Sequence, residues 1–331
     1  MREKILDLLS GKKINSQPAF SGLIHVTAEG LQSEGLIFHE THKDARKMAK
    51  AAASTFKLSR LPSAVLPLDM YVEAEALGAE INFRENMEFE FPQIRKAGFS
   101  SVKDLTTEIT DGTKLFYKGR IKLVCDAIKL LKEDVGNDVV IGGMIPGPYT
   151  LLLLVVDAGK MFVEMKKDPA AVTEALFHLA SLLAQVGVDY RDAGADFITI
   201  HDMGGSPAFL GPAKYEQFVL PAEEMLIEKL LKPRVLSVCG NVTNSLHLLA
   251  RTGADAISID QTVDLATARL ALKDTLLFGN LDPVETLYRG DSAKITESVI
   301  RAKEAGVDAV WPGCDLIIQT PIQNIQTMKK A

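Results

Sequence analysis

AGADFITIHD, residues 193–202, returns in two altered copies, TGADAISIDQ at 252–261 and AGVDAVWPGC at 305–314. Each copy has a glycine at the end of a helical stretch, then an acidic residue, then a short apolar run closing on a polar or reactive residue. Glycine just past a helix is a stop signal. An apolar run without alternation suits a strand buried on both faces, as in a parallel sheet. Five more runs have strand character: 18–26, 63–70, 139–145, 235–241 and 275–282. Between them lie helical patterns, among them 168–193 with its Asp-Pro start, 211–231 and 292–305. Eight strands alternating with helices predict a (β/α)8 TIM barrel. No Gly-, Ser- or Pro-rich linker divides the chain, so the expectation is one domain over residues 1–331. The charged amphipathic start, MREKILDLLSGKK, is read as an N-terminal helical extension rather than a signal peptide.

Composition narrows the function classes. A net charge of −6 gives no reason to expect nucleic acid, and the oiliest stretch, YTLLLLVV at 149–156, is too short to span a membrane. Three cysteines do not make a disulfide framework, which points to a reducing cytoplasm.

A barrel of this kind gathers its chemistry at the carboxyl ends of its strands. The residues expected there include Asp69, His201, Asp202, Cys239, Asn241, Asp260, Gln261, Asn280, Asp282 and Cys314. The bland reading makes some of them, Asn241, Asp264 and Asp282, caps of the following helices. It serves the cysteines poorly. Cys125, inside the helical IKLVCDAIKLL, fits a buried hydrophobe, whereas Cys239 and Cys314 each end a strand, 75 residues apart, at one rim. Two thiols and a nearby imidazole are a ligand set that zinc prefers, and a catalytic zinc takes about three protein ligands and keeps one position open.

Several strings resemble the uroporphyrinogen decarboxylase superfamily: HETHKDARKMA (39–49), DMYVEAEALGAEINF (69–83), SPAFLGPAKYEQFVLP (206–221) and PGCDLIIQTPIQNIQTM (312–328). The chain is most similar to the corrinoid-dependent branch, the methylcobamide:coenzyme M methyltransferases. The decarboxylases carry an arginine-bearing loop after the first strand to grip substrate carboxylates, and LIHVTAEG (23–30) has none. The methyltransferase pattern is His-X-Cys followed later by Pro-Gly-Cys. The later motif stands at Pro312-Gly313-Cys314, but in LSVCGN (236–241) Ser237 occupies the histidine position while Cys239 matches. His201, outside the family motif, is then the favoured third zinc ligand, with Asp260 second. The resemblance implies a methyltransferase assisted by Zn2+, working on a small methyl donor or acceptor, with methylcobalamin supplied by a separate corrinoid protein, since no Asp-X-His-X-X-Gly signature occurs here. Asp69 and Asp202 are the candidate acids at a leaving group. The alternatives are a metal-free lyase relying on Asp69 and a ligand-binding barrel that lost its metal with Ser237.

Overall fold

The computed structural model describes residues 1–109 and 119–331. Seven parallel strands form one curved sheet: β1 (Ser63–Leu66), β4 (Val140–Pro146), β5 (Phe197–Asp202), β6 (Arg234–Val238), β7 (Ala256–Ile259), β8 (Leu276–Leu281) and β9 (Ala309–Pro312), hydrogen-bonded in that order. Two further short strands, β2 (Glu80–Asn82) and β3 (Gln93–Lys96), pair antiparallel as a separate, largely exposed ribbon. Helices separate the barrel strands, giving a TIM-barrel-type α/β fold.

The expected first strand, 18–26, does not form. Its place between β9 and β1 is taken by irregular chain that makes a single bridge, Ala19 to Val310. Pro18 contributes no N–H there, although its carbonyl accepts from Val310 N at 3.0 Å. At Gly22 the chain passes so close to the barrel interior that a Cβ would lie 2.4 Å from Trp311 and 2.7 Å from Phe197. On the other side Ser21 N donates to Ser63 Oγ at 2.9 Å.

The repeated phrase is a structural device. Gly194, Gly253 and Gly306 all have positive φ, which frees each helix to turn into its strand. The aspartates two residues on, Asp196, Asp255 and Asp308, each accept a backbone N–H of the preceding strand: Ile141 at 2.8 Å, Arg234 at 2.9 Å and Leu277 at 2.8 Å. Each also meets a cation, Arg2, Arg234 and Arg269 respectively. The three copies thus fasten β4–β5, β6–β7 and β8–β9 at the amino end of the barrel.

Two apolar clusters record which way each strand residue points. Phe197, Val235, Ala256, Phe278, Ala309 and Trp311 pack together inside the barrel with Phe20 and with Ile5, Leu8 and Leu9 of helix α1 (Arg2–Leu9). Ile198, Ile200, Leu236, Val238, Ile257, Ile259, Leu277 and Val310 belong to the cluster between sheet and helices. Helix α1, the expected N-terminal extension, therefore closes the bottom of the barrel. Above it, Phe20, Phe278 and Trp311 stack with centroids 4.9–5.6 Å apart. The helix Pro169–Ala193, whose composition and length alone would let it cross a membrane, turns Val172, Leu176, Leu179, Leu183 and Tyr190 into the core. The expected helix over 211–231 is broken into Pro212–Lys214, a wide turn over Tyr215–Val219, and Leu220–Lys229, consistent with Pro221 lacking an N–H to continue the regular ladder.

Candidate metal centre and mouth cavity

Alternation along a strand carries the inward face four residues on, from Phe197 to His201, from Val235 to Cys239 and from Ala256 to Asp260. These residues stand at the carboxyl ends of β5, β6 and β7. Cys314 follows β9 across the Gly313 turn. One ligand atom from each of His201, Cys239 and Cys314 lies within 4.8 Å of the others. The two sulfurs are 3.4 Å apart. His201 is fully buried and neither ring nitrogen has a hydrogen-bond partner.

This arrangement fits a zinc ion on the protein's own terms. Tetrahedral zinc with sulfurs at about 2.3 Å holds them roughly 3.8 Å apart, a few tenths of an ångström beyond the observed spacing. An orphaned, buried imidazole is costly unless something takes its lone pair. Charge points the same way. The hydrogen bond from Cys239, and the His201 ring, bring the Cys314 thiol down to about 6 against the upward push of burial. The same bond and burial drive Cys239 well above its ordinary value. Burial lowers His201, but Asp315 and Cys314 outweigh it and lift the ring to about 10. The shared S–H···S contact and the adjacent ring favour loss of a thiol proton here, as binding of a metal by two cysteines and a histidine requires.

Ser237 sits directly opposite His201 in the β5–β6 register and opposite Ser258 in the β6–β7 register. Both serines are buried. The gathered imidazole is therefore rooted on β5, directly across from the small side chain of Ser237 on β6.

The other candidates are placed differently. Asp260 faces inward but is fully engaged: Oδ2 accepts from Gly240 N at 2.9 Å, and Oδ1 from Thr262 N and Oγ1 at 2.8 and 2.7 Å. It is not among the gathered ligand atoms. Asp202 lies one residue beyond His201 and so points outward, toward the helices. It accepts from Thr150 Oγ1 at 2.5 Å and Gly205 N at 3.1 Å, and its charge helps burial hold the neighbouring Glu223 carboxyl well above its ordinary value. Asp264 and Asp282 cap helices, and Asn241 accepts from Thr243 N in a turn. Asn280 donates to the Asp260 and Val263 carbonyls, while Gln261 Oε1 is buried without a partner. Cys125 is half-buried in a helix, its thiol raised by burial to about 11.

Above the trio opens a cavity of about 950 Å³. Cys314 and Asp315 form part of its wall, with Asp69, Ile24, Phe89 and Met203 among the other lining residues. Asp69 is gripped by Arg120 Nη1 and by His42 Nδ1, both at 2.7 Å. Burial alone would raise its carboxyl, but the Arg120 charge and the hydrogen bonds from His42 and Arg120 overcome it and hold Asp69 well below the usual carboxylate range. Arg120 and Asp315 were not singled out by the sequence. The signal for Asp315 was its place beside Cys314 in PGCD.

The uroporphyrinogen decarboxylase (URO-D) family model matches residues 1–331. The methylcobamide:CoM methyltransferase MtbA of Methanosarcina acetivorans is 30% identical over 334 residues, 99% of this chain and 96% of that protein. MtaA of Methanosarcina barkeri is 29% identical, over 100% of this chain and 97% of its own length. A uroporphyrinogen decarboxylase of Thermodesulfovibrio yellowstonii is 30% identical over 72% of this chain and 69% of its own. A solved methyltransferase from Methanosarcina mazei superposes with a TM-score of 0.92 at 27% identity, covering 99% of this chain and 96% of that one. By the family match across its whole length and by the likeness of these relatives, the chain belongs to the uroporphyrinogen decarboxylase family.

Proposed function

We propose that this protein is a corrinoid-dependent methyltransferase that moves a methyl group between the methylcobamide of a corrinoid protein and a small thiol, at a zinc site made by His201, Cys239 and Cys314. The observation that carries the reading is the convergence of two cysteines and an orphaned histidine under the mouth cavity, in a chain 30% identical to a protein named for methylcobamide and CoM.

A zinc ion held by these three side chains would deprotonate a thiol that reached its open position, supplying a nucleophile at neutral pH. The chain's own residues do the rest. Cys314 presents its sulfur on the cavity wall, while Cys239 and His201 lie beneath it, out of water. Apolar residues such as Met70, Phe91, Leu154 and Leu316 line the cavity and keep bulk solvent from the reacting end of a thiol. Asp69, paired with Arg120 and hydrogen-bonded to His42, is a fixed wall element rather than a mobile proton donor.

The decarboxylase-like reading has less support. Among the described residues lining the cavity the one cation is Arg84, and its guanidinium is spent on Glu90. Arg120 behind it is spent on Asp69 and Glu75. A tetrapyrrole with many carboxylates would meet no free partner on this wall.

The test is zinc analysis of the purified protein together with loss of the methylcobalamin absorbance in the presence of thiols, both coenzyme M and the uncharged 2-mercaptoethanol. The expected result is one zinc per chain and thiol-dependent demethylation, with both lost in Cys314→Ser. A protein with neither metal nor demethylation, alone or with corrinoid protein, would refute the proposal.

A further inference from the structure

We infer that Asp315 is the positioning residue of the metal centre: it fixes the proton of the His201 ring on Nε2, so that Nδ1 is the nitrogen offered to zinc. The inference rests on the zinc reading above and adds a residue to it.

A histidine ligand has two nitrogens, and only one can bind the metal. The other is buried with it and needs a partner that decides the tautomer. The gathered imidazole stands on β5, opposite Ser237 of β6, so its partner has to reach it there. Asp315 Oδ2 lies 3.5 Å from His201 Nε2. Of the carboxylates in the described chain, it is the one paired with this ring. A nitrogen facing a carboxylate carries hydrogen, because its lone pair would repel the charge. The lone pair of the neutral ring is then on Nδ1; both nitrogens are buried without a hydrogen-bond partner, and the 3.5 Å approach of Asp315 to Nε2 is what tells them apart.

The carboxylate itself is held in place. Asp315 Oδ1 accepts the backbone N–H of Ile24 at 2.8 Å, and the Ile24 carbonyl accepts from Leu316 N at 2.9 Å. These two bonds clamp residues 315–316 to the irregular segment that replaces the missing strand. Asp315 is thereby aimed at His201 by backbone, with no reliance on a flexible neighbour. It is not itself part of the gathered ligand set, so its role passes through His201.

The test measures metal affinity, not turnover. Zinc dissociation constants are obtained by chelator competition for the parent, Asp315→Asn and Asp315→Ala, and the Co2+-substituted proteins are compared by their visible absorption. Loss of such a partner weakens metal binding about 10- to 100-fold. The expected result is a weakening in that range for both variants, with sulfur-to-cobalt charge-transfer bands and d–d intensity kept, since both thiols and the coordination number remain. Asp315→Asn keeps an oxygen for Ile24 N, so it separates the charge from the clamp. In a His201→Ala background the same substitution should change zinc affinity less than twofold, an interaction that a merely structural role would not produce. Parent-like affinity in Asp315→Asn and Asp315→Ala would overturn the inference while leaving the zinc site standing. A collapse of d–d intensity to that of a lower coordination number would overturn it in favour of direct ligation. A parent protein that takes no zinc would overturn both readings together.

Discussion

Exchanging the residues at positions 201 and 237 tests whether the metal centre has been rebuilt across one strand boundary. The two Cα positions face each other in the β5–β6 register, so the exchange moves the imidazole's root by one strand spacing, about 4.8 Å. The perturbation has three arms: His201→Ser, Ser237→His, and both together. A four-ligand zinc site is worth roughly 10–16 kcal/mol at neutral pH, or about 3 kcal/mol for each ligand, so His201→Ser should weaken zinc on the order of 100-fold. Ser237→His alone adds a second ring beside His201 at a position only 1% exposed, and overpacking of that kind costs about 1–3 kcal/mol of stability. The double variant relieves the crowding and restores an imidazole two residues from Cys239 on the same face of β6. Its zinc affinity should return to within about tenfold of the parent, less than complete because Asp315 faces position 201, and an orienting partner is worth roughly that factor. Chelator competition gives the affinities, and thermal melting with and without chelator gives the stabilities. The reasoning is refuted if His201→Ser holds zinc within threefold of the parent. It is equally refuted if the double variant binds no better than His201→Ser.

Three further outcomes follow from other parts of the molecule. Glu73 is fully buried, and burial raises its carboxyl from the ordinary 4.5 to about 7, with one oxygen accepting from Tyr190 and the other unpartnered. The folded state therefore holds this proton more tightly than the unfolded chain. Its contribution is intact below pH 4.5 and is lost as pH rises to 7, a difference of about 3 kcal/mol. Urea unfolding of Glu73→Gln should show a gain of about that size at pH 8 and none at pH 4.5, and equal gains at both pH values would contradict the assignment. Asp69→Asn leaves the buried Arg120 with Glu75 as its remaining carboxylate and should lower the unfolding free energy by about 3 kcal/mol, the low end for a broken buried pair, read from the denaturant midpoint; a loss under 1 kcal/mol would show that the pair is not structural. Phe209, 66% exposed, stands next to Gly240 at the rim of the mouth. Phe209→Asp should raise KM for a corrinoid-protein donor about tenfold while leaving KM for free methylcobalamin unchanged, and an equal rise for both donors would count against docking there.

Three of the seven barrel strands, β5, β7 and β9, are announced by the repeated glycine–X–aspartate phrase, whose two residues do separate backbone work at each return, and the other four by unbroken apolar runs. The run 18–26 misled because its apolar content matches a strand while Pro18 and Gly22 set its path. The β2–β3 ribbon left no apolar pattern, since its residues are mostly exposed. The convergence of His201, Cys239 and Cys314 was legible from residue chemistry and strand ends. The division of labour between His201 and Asp202 was not: FITIHD is buried on both faces, so nothing in its pattern says which of two adjacent polar residues looks inward. Asp260 stands apart from the gathered trio for a related reason. It does face inward, but hydrogen bonds from Gly240 and Thr262 absorb its oxygens, and such partners are set by loop geometry that sequence spacing does not encode.

The irregular segment between β9 and β1 gives the barrel a weakest line. Where other neighbours share a ladder of backbone bonds, this boundary hangs on scattered ones: Val310 N to the Pro18 carbonyl, Phe20 N to the Val310 carbonyl, Leu316 N to the Ile24 carbonyl, Ala28 N to the Ile318 carbonyl, and three side-chain fastenings through Ser63, His25 and Asp315. Local opening takes the path of fewest cooperative bonds, so native-state amide exchange should be fastest along residues 19–28 and 313–318 and slowest in β4 to β6. Cys314 sits on that line. An ion shared between it and the well-laddered β5 and β6 would act as a clasp, slowing exchange on both banks of the boundary. The time such an ion spends in the protein would then be governed less by the strength of its ligand bonds than by how often this edge breathes.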